Sequence, residues 1–365
     1  MERTLKPAFA KPSEQDLFRL LRKEVNQTVR LLEPKRKFII RLKAALFPTL
    51  YVALYLGAIT RGDNLRILYS CYCLLGVLLV LNFLNLIHEA VHNTLFQRKW
   101  MNSLYVHFFD LLGANSFIWK VRHIRLHHNY PNVMGWDSDF EQSPMARVFP
   151  HGVYTRMHQY QHIYLPLLYP LYLFNWLLVR DFKDFFYKDK LVWKVTTIPR
   201  MEYVKLFLYK GLFVFYILVL PVLLLKISWA QMMGAFLLML FTASIFSLLV
   251  LLTPHAVPDS EFPMPDGKGN MPTTWFVHQL NTTNDVTEDT WFTRFFMGCF
   301  NYHIAHHLFP SVNHVYYPEV TEVISRFAKE HQLPYRRFPL AVSLQKHYQL
   351  LKNNSVQEDI FEETM

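Results

Sequence analysis

Eight histidines of this chain fall into three tight groups: His88 and His92 in HEAVH, His123, His127 and His128 in HIRLHH, and His303, His306 and His307 in HIAHH. Residues four apart share one face of a helix. That spacing pairs His88 with His92, His123 with His127, and His303 with His307, and sets His306 on the side of His303. His128 is expected about 100° away from His127, where it would serve a second metal. Neutral imidazole is the commonest protein metal ligand and suits zinc, copper and iron. Eight imidazoles fit two metals better than one. A dinuclear iron site activates dioxygen, which then takes hydrogen from an unactivated C–H bond.

HEAVH also matches the helical zinc-protease motif, with two histidine ligands and a glutamate base. A catalytic zinc needs only three protein ligands and a water, which leaves five of the grouped histidines without a purpose. The remaining nine of the 17 histidines divide further. His107, His151, His158, His331 and His347 read as ordinary surface or core residues, and His162, His255, His278 and His314 stay open.

The elements that hold these groups are read from the hydropathy pattern. Hydrophobic residues make up 52% of the 365 and charged residues 18%, against roughly 25% in soluble domains. This excludes a disordered chain or a small disulfide scaffold. Cys71 and Cys73 lie in an apolar run as small hydrophobes. Four runs approach the roughly 20 apolar residues that cross a bilayer: 44–60, 67–87, 206–225 and 231–253. Lys210 in the third is expected to snorkel. Two shorter runs, 103–119 and 163–179, read as helices lying in the interface or packed on the bundle, not crossing it. The short turns around Arg61–Asp63 and Lys226 make two helical hairpins. Twelve Lys and Arg in residues 1–43 place the N-terminus in the cytoplasm, and no secretory signal is evident there. Span parity then puts 88–204, everything after 254 and all three histidine groups on the cytoplasmic side.

The expectation is therefore an all-α integral membrane protein: four transmembrane helices in two hairpins, with a cytoplasmic helical cap carrying the metal site. Residues 1–43 form a basic cytoplasmic segment, 44–350 the membrane-embedded domain with its cap, and 351–365 a polar acidic tail that is frayed from 353 onward. The net charge of +10 suits an anionic membrane surface. No nucleic-acid-binding signature is present.

Beyond the histidines, the stretches HHNYPNVMGWDSDF, MHQYQHIYLPLLYPLY, WFVHQLNTTND and NYHIAHHLFP resemble the integral-membrane fatty acid desaturase and hydroxylase superfamily, with the front-end and bacterial acyl desaturases as the nearest branch. The resemblance covers roughly residues 45–330. It implies a non-haem di-iron enzyme that desaturates a long acyl chain held as a CoA thioester, a lipid or another carrier. Dioxygen is the co-substrate, and two electrons arrive from a separate ferredoxin or cytochrome b5. The ligands carried over are His88, His92, His123, His127, His128, His303, His306 and His307. A further nitrogen ligand is expected from His278 first and His162 second. His303 stands where many front-end enzymes carry Gln, and no fused cytochrome b5 motif (His-Pro-Gly-Gly) occurs.

Glu89, Asp137 and Asp139 are expected to orient ligand rings through their second nitrogens, and Asn132 to fix a turn. Trp119 and Trp275 would border an acyl tunnel or anchor at the interface. Arg122, Arg125 and Arg156 would attract a CoA or lipid phosphate. Two alternatives of different class are a di-iron lipid or carotenoid hydroxylase or ketolase, and the membrane zinc protease. A non-enzymatic scaffold would give the histidines no use.

Overall fold

A computed structural model describes residues 5–10, 15–140 and 143–356. The last nine residues of the expected tail and parts of the N-terminal segment lie outside the described residues. The described residues are mostly helical. A pair of two-residue strands, Asp285–Val286 alongside Arg337–Phe338 in parallel, ties two cap segments together.

Helix α1 runs over Gln15–Arg61, 47 residues. At 1.5 Å per residue that is about 70 Å, more than twice a hydrocarbon core. Only its second half has the length and apolarity of a span. The first half continues past the expected boundary at residue 43 without a break and packs into the cap. There Leu21 and Val25 are buried with Val320 and Ile324, and Arg36 bonds to Glu319 and the Val315 carbonyl.

After a turn capped by Asn64, α2 covers Leu65–Val91. The polypeptide then forms short helices and α3 (116–127), an interrupted helical run α4 (Arg156–Phe186), α5 (Arg200–Leu224) and α6 (Trp229–Leu251). Ser228 and Gln231 form a reciprocal capping box that starts α6. Helices α2 and α6 approach closely. A Cβ on Gly76 would stand 2.3 Å from the Met239 carbonyl oxygen, so only glycine allows this approach.

Among the described residues, five helices are long and apolar enough to cross a membrane: Leu17–Arg61, Leu65–Val91, Arg156–Phe186, Arg200–Leu224 and Trp229–Leu251. Four of them coincide with the four expected spans, two of which end one or two residues past the helix. The fifth contains the run 163–179, expected in the interface, and is interrupted by Pro166 and a 3-10 turn at Tyr169–Leu171. Lipid-facing side chains show on α5, where Phe207, Leu208, Phe215, Leu223 and Leu224 are exposed.

Lys210 does not snorkel. It is buried, with its ammonium 2.7 Å from Asp181 and bonded to the carbonyls of Gly113 and Leu177. An acidic partner on a neighbouring helix removes the need to reach water.

The cap is completed by α7 (Trp275–Thr282), α8 (His303–Leu308), α9 (Tyr317–Glu330) and α10 (Leu340–Asn353). Residues 351–356, expected in the tail, are docked instead. Leu351, Asn354 and Ser355 are buried, and Asn354 Nδ2 donates to the Val148 carbonyl at 2.7 Å.

Candidate metal centre

The three histidine groups, far apart in sequence, meet at the cap end of α2 and α6. Two sets of four rings can each hold one ion: His88, His92, His123 and His306, then His127, His255, His303 and His307. His128 lies between the sets, close to His306 and His307. Within each set the candidate ligand atoms lie inside 4.8 Å of one another. Nε2 of His88 is 3.2 Å from that of His306, and Nε2 of His123 is 3.0 Å from that of His92.

Local helix geometry decides which ring joins which set. The backbone of α3 opens into a π-helix over Val121–His127, and the His128 amide donates to the His123 carbonyl five residues earlier at 3.0 Å. A π-turn holds more than four residues. His128 therefore returns to the side of His123, and their Nε2 atoms are 3.1 Å apart. His127 is carried to the second set. The expected α-helical pairing of His123 with His127, and the outward phase of His128, are corrected by this one change of pitch. A second π-turn, Phe83–Ile87, precedes His88. In the third group, His303 and His307 share the second set as their spacing predicts, and His306 turns to the first.

His255 is the ninth ring. It sits just past α6, with Nε2 3.1 Å from that of His307. It had stayed open in the sequence because no second histidine lies three or four residues away. His278 and His162 belong to neither set. The His278 ring packs against Phe9 at 5.1 Å, and the His162 ring against Tyr348 at 5.7 Å.

Most of the rings are held by their other nitrogen. Nδ1 of His255 faces the Thr282 carbonyl at 2.9 Å, that of His307 faces Gln279 Oε1 at 2.9 Å, and that of His127 faces Asp137 at 3.1 Å. His306 Nδ1 lies 3.3 Å from the Tyr317 hydroxyl and His88 Nδ1 3.4 Å from Glu89. Gln279 donates its amide N–H to the His128 carbonyl, so its oxygen is the atom that faces His307. A carbonyl oxygen only accepts, so Nδ1 of His255 and of His307 carries the proton. Their Nε2 atoms then present bare lone pairs to each other at 3.1 Å. That contact is repulsive without a cation between them. Two imidazole nitrogens about 2.1 Å from a common ion, at a right angle, are about 3.0 Å apart. The residues therefore fit a bound metal.

Electrostatics agree with neutral ligands. Burial holds His123, His128, His303, His306 and His307 well below the ordinary value of 6.5, and like-charge repulsion among the rings adds to it. His255 is lowered to about 3. His127 differs: burial opposes its charged form, but the carboxylates of Asp137 and Asp139 outweigh it and raise the ring to about 9.

The other expected neighbours fall into place unevenly. Asp139 is half-exposed, 3.8 Å from His127. Asn132 takes φ 59° and its side chain donates to the carbonyls of His255 and Glu261, so it locks the turn that carries the ninth ring. Trp119 borders a cavity beside the rings, with Phe83, Trp176, Leu248, Leu251 and Phe300. Trp275 does not, packing on Phe18 instead. Arg122 is buried against Asp184 at 3.5 Å and over the Trp176 ring, so it is not free for a phosphate. Arg125 donates to the Val195 carbonyl.

One polar chain was not foreseen. Lys43 of α1 is 2.8 Å from Asn85 Oδ1 and 2.9 Å from His314 Nε2, and it donates to the Arg294 carbonyl at 3.0 Å. His314 Nδ1 lies 3.4 Å from Glu89, and Glu89 accepts from Thr94 at 2.5 Å. Glu89 is the link from this chain to His88.

Residues 65–339 match the family model of the fatty acid desaturases. The chain is 31% identical to an acyl-lipid (8-3)-desaturase of Physcomitrium patens over 280 residues, 74% of this chain and 57% of that protein. It is 28% identical to a sn-1 linoleoyl-lipid 6-desaturase of Synechocystis, covering 74% of this chain and 76% of the relative. The corresponding 6-desaturase of Arthrospira platensis is 25% identical over 69% of this chain and 68% of its own length. With the nine-histidine geometry, this match over most of the sequence makes the chain a member of the fatty acid desaturase family.

Proposed function

We propose that this chain is an oxygen-dependent acyl-lipid desaturase whose metal centre is two irons held by nine histidines: His88, His92, His123 and His306 around one, His127, His255, His303 and His307 around the other, with His128 between. The observation that carries the reading is the facing pair of bare Nε2 atoms on His255 and His307 at 3.1 Å. The chemistry supplied by iron bound there is reductive activation of dioxygen. The overall change takes one acyl CH2–CH2 unit, one O2, two electrons and two protons to CH=CH and two waters.

The residues of the chain prepare that site. Asp137, Thr282, Gln279 and Glu89 hold Nδ1 of their rings, so each Nε2 is aimed before a metal arrives. Phe83, Trp119, Trp176 and Phe300 give the adjoining cavity apolar walls that accept methylenes and keep water from the reacting carbons. The relatives' names carry the acyl-lipid substrate, and a ferredoxin or cytochrome b5-type protein is the proposed electron donor. A zinc protease needs a single ion with an open position, and a paired nine-ring site offers no such plan. A hydroxylase shares the same first hydrogen abstraction, and the relatives' names favour the desaturase.

The proposed topology is four spans in two hairpins, with both termini and the cap on the cytoplasmic side. The supporting observation is that both ends of α4 return to cap residues. Gln161 Nε2 donates to the Leu351 carbonyl at 2.8 Å, and Arg180 bonds to the Ser138 carbonyl. Between them Trp176 meets Phe83 near the cap end of α2. The segment 156–186 therefore lies along the cap boundary. In this arrangement 1–43 is a basic cytoplasmic segment whose helical part docks on the cap, and 44–350 is the membrane-embedded domain with that cap.

Expression of the full chain in a host with a simple lipid profile, followed by mass spectrometry of total fatty acids, tests the activity. A new double bond is expected. A hydroxylated product without an alkene would move the assignment to the runner-up.

A further inference from the structure

Phe300 borders the cavity at the histidines and also a second, smaller cavity. Its ring is 4.9 Å from that of His88 and 5.8 Å from that of His303, so one side chain next to the histidines lines both spaces. The second cavity lies between the end of α6, at Leu249 and Val250, and the stretch that carries Glu288, Thr293 and Asn301. Glu288 already accepts from the Leu340 amide with both oxygens, at 2.9 Å each. The Thr293 hydroxyl donates to the Thr290 carbonyl and accepts from its amide, both at 2.9 Å.

Asn301 differs from these neighbours. It is more than nine-tenths buried, and neither Nδ2 nor Oδ1 of its side chain has a hydrogen-bond partner. A buried polar group left unsatisfied costs about 1–3 kcal/mol, so an unpaired carboxamide on a cavity wall marks a place for a polar ligand. The surroundings say which kind. The cavity sits where α6 ends, beside a short helix, Trp291–Phe295, whose Trp291 and Phe292 are exposed. Aromatic side chains of this kind sit at headgroup level, the depth at which a membrane lipid carries its ester carbonyls. Leu249, Val250, Val286, Met297 and Leu340 give the cavity an apolar side, which suits the first methylenes of an acyl chain.

We propose that Asn301 Nδ2 donates to the carbonyl of the acyl group, held in this side cavity, while the chain passes Phe300 to reach the histidines. Asn301 is then the residue from which carbons are counted: the carbonyl is fixed, and the distance to the metal centre sets which carbons are dehydrogenated. The inference rests on the desaturase reading.

The test uses the full chain in lipid nanodiscs and compares binding of a diacyl phosphatidylcholine with its diether analogue, which has the same chains and lacks the carbonyls. The wild type is expected to bind the ester about tenfold more tightly, the value of one hydrogen bond in a buried site. Asn301→Leu, branched at the same carbon and without a donor, is expected to bind both lipids at the ether level and to spread the double bond over several positions. Acyl-CoA in the same assay identifies the source of the carbonyl: tighter binding of the thioester, abolished in Asn301→Leu, keeps the contact and moves it to CoA. Equal affinity of the wild type for ester and ether, a comparison that needs no variant, overturns the assignment. A wild type that prefers the ester yet forms no double bond overturns the desaturase reading, and the counting role with it.

Discussion

His255 and His307, fifty-two residues apart, present their Nε2 atoms to each other at 3.1 Å while Thr282 and Gln279 hold the opposite nitrogens. His255 is thus fixed as firmly as any ring of the three sequence groups. Replacing His255 with Ala is expected to lower iron in the purified chain from about two per molecule to about one and to abolish activity. His278→Ala and His162→Ala are expected to keep two. Elemental analysis of the three variants decides between these positions.

Asp137 holds the protonated Nδ1 of His127 and also accepts from the amides of Asn132 and Asp139. Asn at this position keeps the shape but loses the charge that orients the ring. Asp137→Asn is expected to weaken metal retention by about 10–100-fold, measured as the chelator concentration that strips half the iron. Retention equal to the wild type would reduce Asp137 to a turn residue.

Lys43 places a buried ammonium against Asn85, His314 and the Arg294 carbonyl. Lys43→Met keeps the stem and removes the charge, leaving these acceptors and, behind them, Glu89 without compensation. Loss of one partner of a buried charged network costs about 3–5 kcal/mol. A clearly lower thermal midpoint in detergent is expected, with His88 loosened as a consequence. A double variant with Glu89→Gln is expected to lose less than the sum of the two single changes.

The neutral rings predict a pH dependence. Burial holds His123, His128, His303, His306 and His307 below their ordinary 6.5. The unfolded chain then binds more protons than the folded one as pH falls through 6.5. The stability linked to these groups is fully present above that value and declines below it. The metal-free chain is expected to unfold more readily at pH 5.5 than at pH 7.5, and bound iron to oppose the loss because it occupies the same nitrogens. A flat unfolding midpoint over this range would contradict the burial of neutral imidazoles.

The sequence made the site legible where chemistry is local. Spacings of three to five residues flagged eight of the nine rings, and the apolar runs placed them beyond the ends of spans. The phase of His127 and His128 was not legible, because a π-turn is a tertiary accommodation with no composition signal of its own. His255 escaped because its partners are non-local and its neighbours, Pro254 and Ala256, are not ligands. Lys43 was counted among basic residues of an arm, and only the packing of α1 against the cap shows that it is buried.

The same lysine ties the beginning of the chain to its end. Its contact with His314 spans 271 residues, and the stretch that satisfies it is made after all the apolar helices. During synthesis Asn85 is made first, and the Arg294 carbonyl and His314 reach the ammonium only later. Closure of the polar chain is therefore a late step of assembly: a product cut short before residue 294 leaves the ammonium with Asn85 alone of its three partners.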